Sequence, residues 1–270
     1  MPLISIILPV YNSKKERLTQ SIESVFSQSF KDFELIIIND ASTNDIEATI
    51  LEYITKDKRI VYIKNKENLK LTKTLNKGLE ISQGQYIARI DDDDIWMDKE
   101  KIQKQIDFMN KNPKYGLCGT NVYLWKIDGT IQSKLYMVEN DIDIRKRMLL
   151  STQFSHSSIM VRKSAIDICG IYNPDYNLME DHELWLRIGQ KFKLHNIQDF
   201  TTFYRYNPQW VSLKNRRQQQ RLALQLCWKY RKDYPSFVKW LFWSIILNIL
   251  PAKVIWRINR INRLFDKPFI

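Results

Sequence analysis

Hydrophobic and polar positions alternate on two scales along this chain. Residues 3–10 form a nearly unbroken apolar run that predicts a strand. Residues 17–28 then repeat Leu18, Ile22, Val25 and Phe26 at helical spacing. The pair recurs three times. A strand at 34–38 is followed by a helix at 43–55, with Asn44 or Asp45 as its cap. A strand at 59–63 precedes a helix at 71–82, and a strand at 86–90 precedes a helix at 99–110. Strands this continuously apolar are covered on both faces. The pattern therefore predicts an α/β fold with a mostly parallel sheet between two layers of helices.

After about residue 115 the rhythm changes. Residues 117–125 and 130–136 read as strands flanking an Asp128-Gly129 turn. A helix at 141–150, a strand at 157–161, a helix at 183–190 and a strand at 201–206 follow. This half is expected to extend the sheet and build the second wall of a cleft. Residues 215–233 read as a basic helix, and residues 237–250 as an apolar run that contains Lys239 and stops at Pro251. That run is shorter than the roughly 20 residues needed to span a bilayer. Beyond it Val254, Ile258, Ile261 and Phe265 recur at helical spacing, with Lys253, Arg257, Arg260 and Arg263 mostly around the opposite side.

Charge sharpens this division. The net charge is +12, yet residues 1–213 carry 29 Lys/Arg against 28 Asp/Glu, whereas residues 214–270 carry 13 against 2. A near-neutral body with a basic, tryptophan-bearing amphipathic tail fits an element lying on an anionic membrane surface through residues 235–270. The alternative is a helical hairpin packed on the body or, in a homodimer, on a second copy. A nucleic-acid partner is not expected, because the body is near neutral and carries no recognisable binding motif. No secretory leader is read at the N-terminus, and Cys118, Cys169 and Cys227 fit no metal spacing or disulfide framework. The expected location is cytoplasmic, peripheral on the inner face of the membrane.

The candidate chemistry is acidic. Arg89-Ile90-Asp91-Asp92-Asp93-Asp94 closes the fourth strand. Adjacent carboxylates repel, a cost most readily accepted where a divalent cation will sit; a solvated acidic turn is the plainer alternative. The first strand ends in Pro9-Val10-Tyr11-Asn12 and the second in Asp40. The carboxyl ends of parallel strands share one crevice, so these segments should meet there. Glu180-Asp181 opens a later helical segment, where carboxylates also serve as ordinary N-terminal caps.

These motifs, together with residues 22–30 and Phe33-Glu34-Leu35-Ile36-Ile37-Ile38-Asn39-Asp40-Ala41-Ser42, resemble the family-2 inverting glycosyltransferases of GT-A fold, and residues 180–187 resemble that family's later acidic motif. The resemblance spans roughly 3–213. It implies a GT-A catalytic domain at 1–213, with a nucleotide-binding half at 1–114 and an acceptor-side half at 115–213; the charge and spacing beyond it predict a basic amphipathic helical region at 214–270. The implied reaction is metal-dependent transfer, with inversion, of a hexose or N-acetylhexosamine from a UDP-sugar to a hydroxyl of a glycan, expected to be lipid-linked, in bacterial polysaccharide or lipo-oligosaccharide assembly.

The resemblance also assigns roles. Asp40 would face the uracil ring, with Pro9, Tyr11 and Asn12 lining the nucleotide slot and Asn68 and Lys73 adding contacts. Asp91 and Asp93 match an Asp-x-Asp motif in which one carboxylate faces the ribose and the other Mn2+ or Mg2+, and Asp92 holds the variable position. Asp94 would be a helix cap or a supporting group, and Arg89 would pair with the acidic cluster or neutralise phosphate. His156 would approach the donor sugar or acceptor. Asp181 would be the base, supported by Glu180. Asn207 stands where the family often has a histidine near the metal, a departure that replaces a strong ligand by a neutral amide. A nucleotidyltransferase would be expected to carry a Gly-rich basic loop after the first strand, which Pro9-Val10-Tyr11-Asn12-Ser13 is not. A catalytically dead scaffold of the same shape is disfavoured by intact Asp91, Asp93 and Asp181.

Overall fold

The structure, a computed structural model, describes residues 1–126, 130–205, 215–235, 237, 238 and 241. Four parallel strands, β1 (Ile4–Val10), β2 (Phe33–Asn39), β3 (Ile60–Lys64) and β4 (Tyr86–Arg89), run in the spatial order β3-β2-β1-β4. Helices α1 (Lys15–Phe26), α2 (Ile46–Lys56) and α3 (Lys70–Ile81) supply the crossovers. Every residue of β1 and β2 is buried. Their side chains divide by alternation between two cores: Ile7, Ile36 and Ile38 pack on one face with Leu75 and Leu79 of α3, and Ile4, Ile6, Leu8, Leu35 and Ile37 pack on the other with Ile22 of α1 and Ile50 of α2. Each such side chain contributes about 1.5–3 kcal/mol. Gly84 makes the β1–β4 approach feasible, since a Cβ there would lie 2.4 Å from the backbone nitrogen of Ser5.

The second half extends the sheet in mixed sense. β5 (Ile95–Trp96), helix α4 (Lys101–Lys111), β6 (Tyr115–Trp125), β7 (Ile131–Leu135), helix α5 (Asp141–Arg145), β8 (Met160–Arg162), helices α6 (Lys163–Cys169) and α7 (Glu180–Lys191), and β9 (Lys193–Arg205) follow. β4 pairs antiparallel with β8, β8 antiparallel with β6, β6 parallel with β9, and β9 antiparallel with β5, while β7 lies on β6. Helix α8 (Arg216–Lys229) is built from good helix formers without Gly or Pro. Its Leu226 and Cys227, with Tyr230 and Tyr234 beyond it, join the core around Leu184, Leu186 and Ile188 of α7. Buried Glu183 fixes this contact: it pairs with Arg187 at 2.7 Å and Lys229 at 3.1 Å and accepts a hydrogen bond from the Tyr230 hydroxyl at 3.0 Å.

Several expectations from the sequence need correction. α2 starts at Ile46 with no side-chain cap; the Asn44 amide instead donates to the Ser13 carbonyl at 2.8 Å. The helix expected over 141–150 stops at Arg145, and the chain continues in turns that deliver Met148 and Leu149 to the core. The strand expected at 157–161 begins only at Met160, because residues His156–Ser158 form a 3-10 turn. The last strand begins at Lys193, and α7 begins at Glu180. The expected Asp128-Gly129 turn lies outside the described residues, as does nearly all of 235–270. Among the described residues, no helix is long and apolar enough to cross a membrane.

Candidate active site

Strand ends converge on one open cavity of about 520 Å³. Pro9, Val10 and Tyr11 enter from β1, Asp40 from β2, and Arg89, Asp91 and Asp92 from β4. His156 comes from the 3-10 turn, Glu180 and Asp181 from the start of α7, and Asn68 from the loop before α3. The scattered carboxylates thus share a common hollow, as a parallel sheet edge requires.

Each wall is held by its own bonds. The buried Asp40 carboxylate accepts from the Asn65 amide at 2.6 Å and from the backbone N–H groups of Leu69 and Lys70 at 2.9 and 3.0 Å. Asn68 accepts from the same Lys70 N–H at 3.0 Å. This turn sets Lys70 at φ 68° and on the cavity wall. Lys73, one helical turn further along α3, is not on that wall. Asn12, expected in the nucleotide slot, is also absent from the wall. It sits at φ 50°, and its side chain accepts from the Thr43 N–H at 2.8 Å while its own N–H donates to Ser42 at 3.0 Å. It ties the β1 and β2 loops together behind the slot.

The acidic loop is crowded. Buried Arg89 pairs with Asp91 and leaves its Nε without a partner among the described residues. Ser157 spans the loop: its hydroxyl accepts from the Asp91 N–H at 3.0 Å and donates to the Asp91 carboxylate at 3.3 Å. Its carbonyl accepts from the Trp96 indole at 2.7 Å. Under Trp96, Lys101 is fully buried with its ammonium 4.1 Å from the ring centroid, and burial lowers its pKa to about 7.

Asp93, expected at the metal, does not line the cavity; its carboxylate lies 3.9 Å from Arg17 and its carbonyl accepts from Arg205 Nε at 2.7 Å. Burial and then the neighbouring charge of Asp91 push Asp93 up to about 6, against Arg17. Burial, then Asp93 and Asp91, push Asp92 up to about 8. Asp94 is no helix cap: it accepts from the Arg205 N–H at 2.8 Å and so clips the end of β9 to the acidic loop.

On the opposite wall, burial and then the Asp181 charge raise Glu180 to about 7; Glu180 accepts from the Leu178 N–H at 2.8 Å. Burial also raises Asp181, whose Oδ1 accepts from the His182 N–H at 2.7 Å. His156 is bonded to the Tyr172 hydroxyl at 2.7 Å, and burial, followed by the Arg89 charge, holds it well below its ordinary value and hence neutral.

Among the described residues, no three His, Cys, Asp or Glu side chains come together as a metal-holding group. A Mg2+ or Mn2+ ion that arrives with a diphosphate asks less of the protein, one or two carboxylates, with phosphate oxygens and water completing the shell. The crowded acidic loop, in which burial raises Asp92, Asp93 and Asp94, fits that demand. Asn207 lies outside the described residues. Lys70, Tyr172 and Tyr204 were not singled out from the sequence. Lys70 and Tyr204 line the cavity, and Tyr172 supports His156 from behind.

The family-2 glycosyl transferase model matches residues 5–169, the segment that builds β1 to β8 and the acidic loop. The chain belongs to glycosyl transferase family 2. It is a glycosyltransferase, and its sheet carries the expected GT-A architecture. It is 32% identical over 258 residues to a glycosyltransferase of Methanocaldococcus jannaschii, MJ1057, covering 92% of this chain and 88% of that one. It is 31% identical over 215 residues to the Escherichia coli UDP-Glc:alpha-D-GlcNAc-diphosphoundecaprenol beta-1,3-glucosyltransferase WfaP, covering 78% of this chain and 80% of that one. In structure it resembles Staphylococcus aureus TarS 1–349 in complex with UDP-GlcNAc, at a TM-score of 0.64 and 18% identity, over 83% of this chain and 66% of that one. The family match stops short of α7, so the Glu180–Asp181 wall rests on the geometry of the cavity.

Proposed function

We propose that the protein transfers a hexose or N-acetylhexosamine, with inversion, from a UDP-sugar to a hydroxyl of a lipid-linked glycan during surface polysaccharide assembly. The observation that carries this reading is the single hollow shared by Asp40, Asp91 and the Glu180–Asp181 pair. WfaP, whose name gives a UDP-sugar donor and a diphosphoundecaprenol-linked acceptor, supports the donor and acceptor classes.

In this reading the uracil ring sits against Asp40, with Tyr11 and Pro9 beside it. Asp91 faces the ribose, and Lys70 and Arg89 place positive charge in the same cavity for the phosphates. Asp93, with Asp91 and Asn207, would hold Mn2+ or Mg2+, which when bound supplies Lewis-acid stabilisation of the departing diphosphate. Asp181 is the base. Its Oδ1 is fixed by the His182 N–H, which orients the carboxylate, and a raised pKa suits a base working near neutrality. The acceptor oxygen bonds to the anomeric carbon as that carbon's bond to the diphosphate oxygen breaks. The bonding pair leaves with the diphosphate, and the hydroxyl proton passes to Asp181. No covalent sugar–enzyme intermediate is required.

The tail would meet the anionic membrane face. Supporting this, α8 exposes Trp228 to 62% with Arg231 stacked over its ring at 4.3 Å. The test is a thermal-shift screen of UDP, GDP and CMP with and without Mn2+, run alongside Asp181→Asn. UDP should stabilise the protein most and more strongly with Mn2+, and Asp181→Asn should keep that response yet lose transfer. A stronger response to GDP or CMP, or near-wild-type turnover in Asp181→Asn, would overturn the assignment.

A further inference from the structure

A second cavity, about 480 Å³, adjoins the first. Its walls are the 148–152 turn, the start of α7 and the inner face of α8, with Leu149, Thr152, Met179, Gln220, Ala223 and Leu226 among them. Its size falls within the range of small-molecule sites, about 300–1,000 Å³. Two residues, Leu178 and Asp181, line both cavities. Leu178 sits at φ 88°, a costly conformation for a branched side chain, at the boundary between them.

The two cavities differ in charge. The first is lined by Lys70 and Arg89, whereas no lysine or arginine stands among the described residues lining the second. Among the described residues lining it, the ionisable groups apart from Cys227 are Asp181 and His182. His182 donates from Nε2 to the Met148 carbonyl at 2.6 Å and is held neutral by burial. Most of the lining is aliphatic, with hydroxyls and amides from Ser151, Thr152, Gln219 and Gln220 at intervals. Such a surface accepts an uncharged pyranose, whose C–H faces lie on the aliphatic side chains and whose hydroxyls meet the amides. It offers no cationic side chain to a phosphate.

We infer that this second cavity is the acceptor subsite, that it holds the uncharged terminal sugar of the acceptor, and that the α8 residues Gln220 and Ala223 select that sugar. The inference rests on the transferase reading above. A base must touch the acceptor hydroxyl on one side and face the anomeric carbon on the other, and Asp181 is the carboxylate on the wall common to both spaces. A lipid diphosphate carried by the acceptor would stay outside this cavity, toward the basic side of α8.

The test measures UDP release from UDP-glucose and UDP-N-acetylglucosamine with Mn2+. Added acceptors are the methyl glycosides of glucose, galactose, N-acetylglucosamine and rhamnose, with glucose 1-phosphate as the charged control. At least one glycoside should raise release above plain hydrolysis, and glucose 1-phosphate should not. Ala223→Trp, which fills the cavity, should raise the KM for that glycoside by about tenfold or more while the KM for the nucleotide sugar stays within about twofold. If Ala223→Trp does not melt cooperatively, Gln220→Ala is read instead, with a rise in the glycoside KM expected. An unchanged glycoside KM in the variant that folds, or a preference for glucose 1-phosphate, would overturn the proposal. So would hydrolysis that no glycoside stimulates. Absence of UDP release from either nucleotide sugar would instead strike the UDP-sugar reading beneath it.

Discussion

Glu180 is a carboxylate that the folded protein holds uncharged at a cost that can be measured. Its ordinary value of 4.5 is raised to about 7 by burial and then by the charge of Asp181. Between those values the native state binds more protons than the unfolded chain, so stability falls as pH rises through the window. Below about 4.5 both states are protonated and nothing is lost; above about 7 the full cost is present. A shift of this size corresponds to about 3 kcal/mol. Glu180→Gln removes the titration and keeps an oxygen to accept from the Leu178 N–H. The variant should therefore be more stable than the parent by up to about 3 kcal/mol at pH 8. That is a rise in Tm of roughly 6–12 °C for a chain of this length. The advantage should shrink steadily to nothing near pH 4.5. Asp92 and Lys101 also titrate near neutrality, but they are common to both proteins and cancel, so the difference reports Glu180 together with its neighbour Asp181. Thermal melts of both proteins at half-unit steps from pH 4.5 to 8.5 provide the measurement. Equal stability at pH 8, or an advantage that persists unchanged at pH 4.5, would refute the argument.

The remaining predictions address different parts of the molecule. Asp93→Asn should weaken UDP binding in Mn2+ by about tenfold or more and leave binding in EDTA unaltered, as read by titration calorimetry; equal loss in both buffers would remove Asp93 from the metal. Glu183→Ala should destabilise the fold by about 1–3 kcal/mol in urea melts, because it removes the acceptor shared by Arg187, Lys229 and the buried Tyr230 hydroxyl; no loss would mean that α8 is held by packing alone. Deleting residues 235–270 should abolish sedimentation with vesicles containing phosphatidylglycerol while nucleotide-sugar hydrolysis continues. Undiminished sedimentation would favour a tail packed on the body.

The first half of the fold was legible because β1, β2 and β4 are apolar over most of their length, and a both-faces-buried strand writes itself plainly. The start of β9 was not. It reads Lys193-Leu194-His195-Asn196-Ile197-Gln198-Asp199, which looks like a polar loop. The structure gives these polar side chains distant partners: Asn196 is buried and donates to the carbonyls of Val138 and Gln153 at 2.8 and 3.0 Å, and His195 stacks on Phe108 at 4.2 Å. Those partners lie tens of residues away and leave no local trace. The site divides similarly. Asp40 and Asp91 were found because strand ends announce themselves, and Asp181 because its segment resembles the family's later acidic motif. Lys70 was missed in favour of Lys73 because a left-handed backbone turn, not helical spacing, aims it. The inclusion of α8 in the core was hidden by its charge, since Leu226 and Cys227 are few among many arginines and glutamines.

Ser157 gauges the acidic segment at both ends, meeting Asp91 through its hydroxyl and Trp96 through its carbonyl. One residue of the antiparallel half thereby sets the span of a loop that belongs to the parallel half. The entropy of ordering that loop is spent during folding and not in each catalytic cycle. The two halves of the sheet are geared together at this point, so a shift in β8 would be felt at the acidic loop before any other side chain of the pocket had changed.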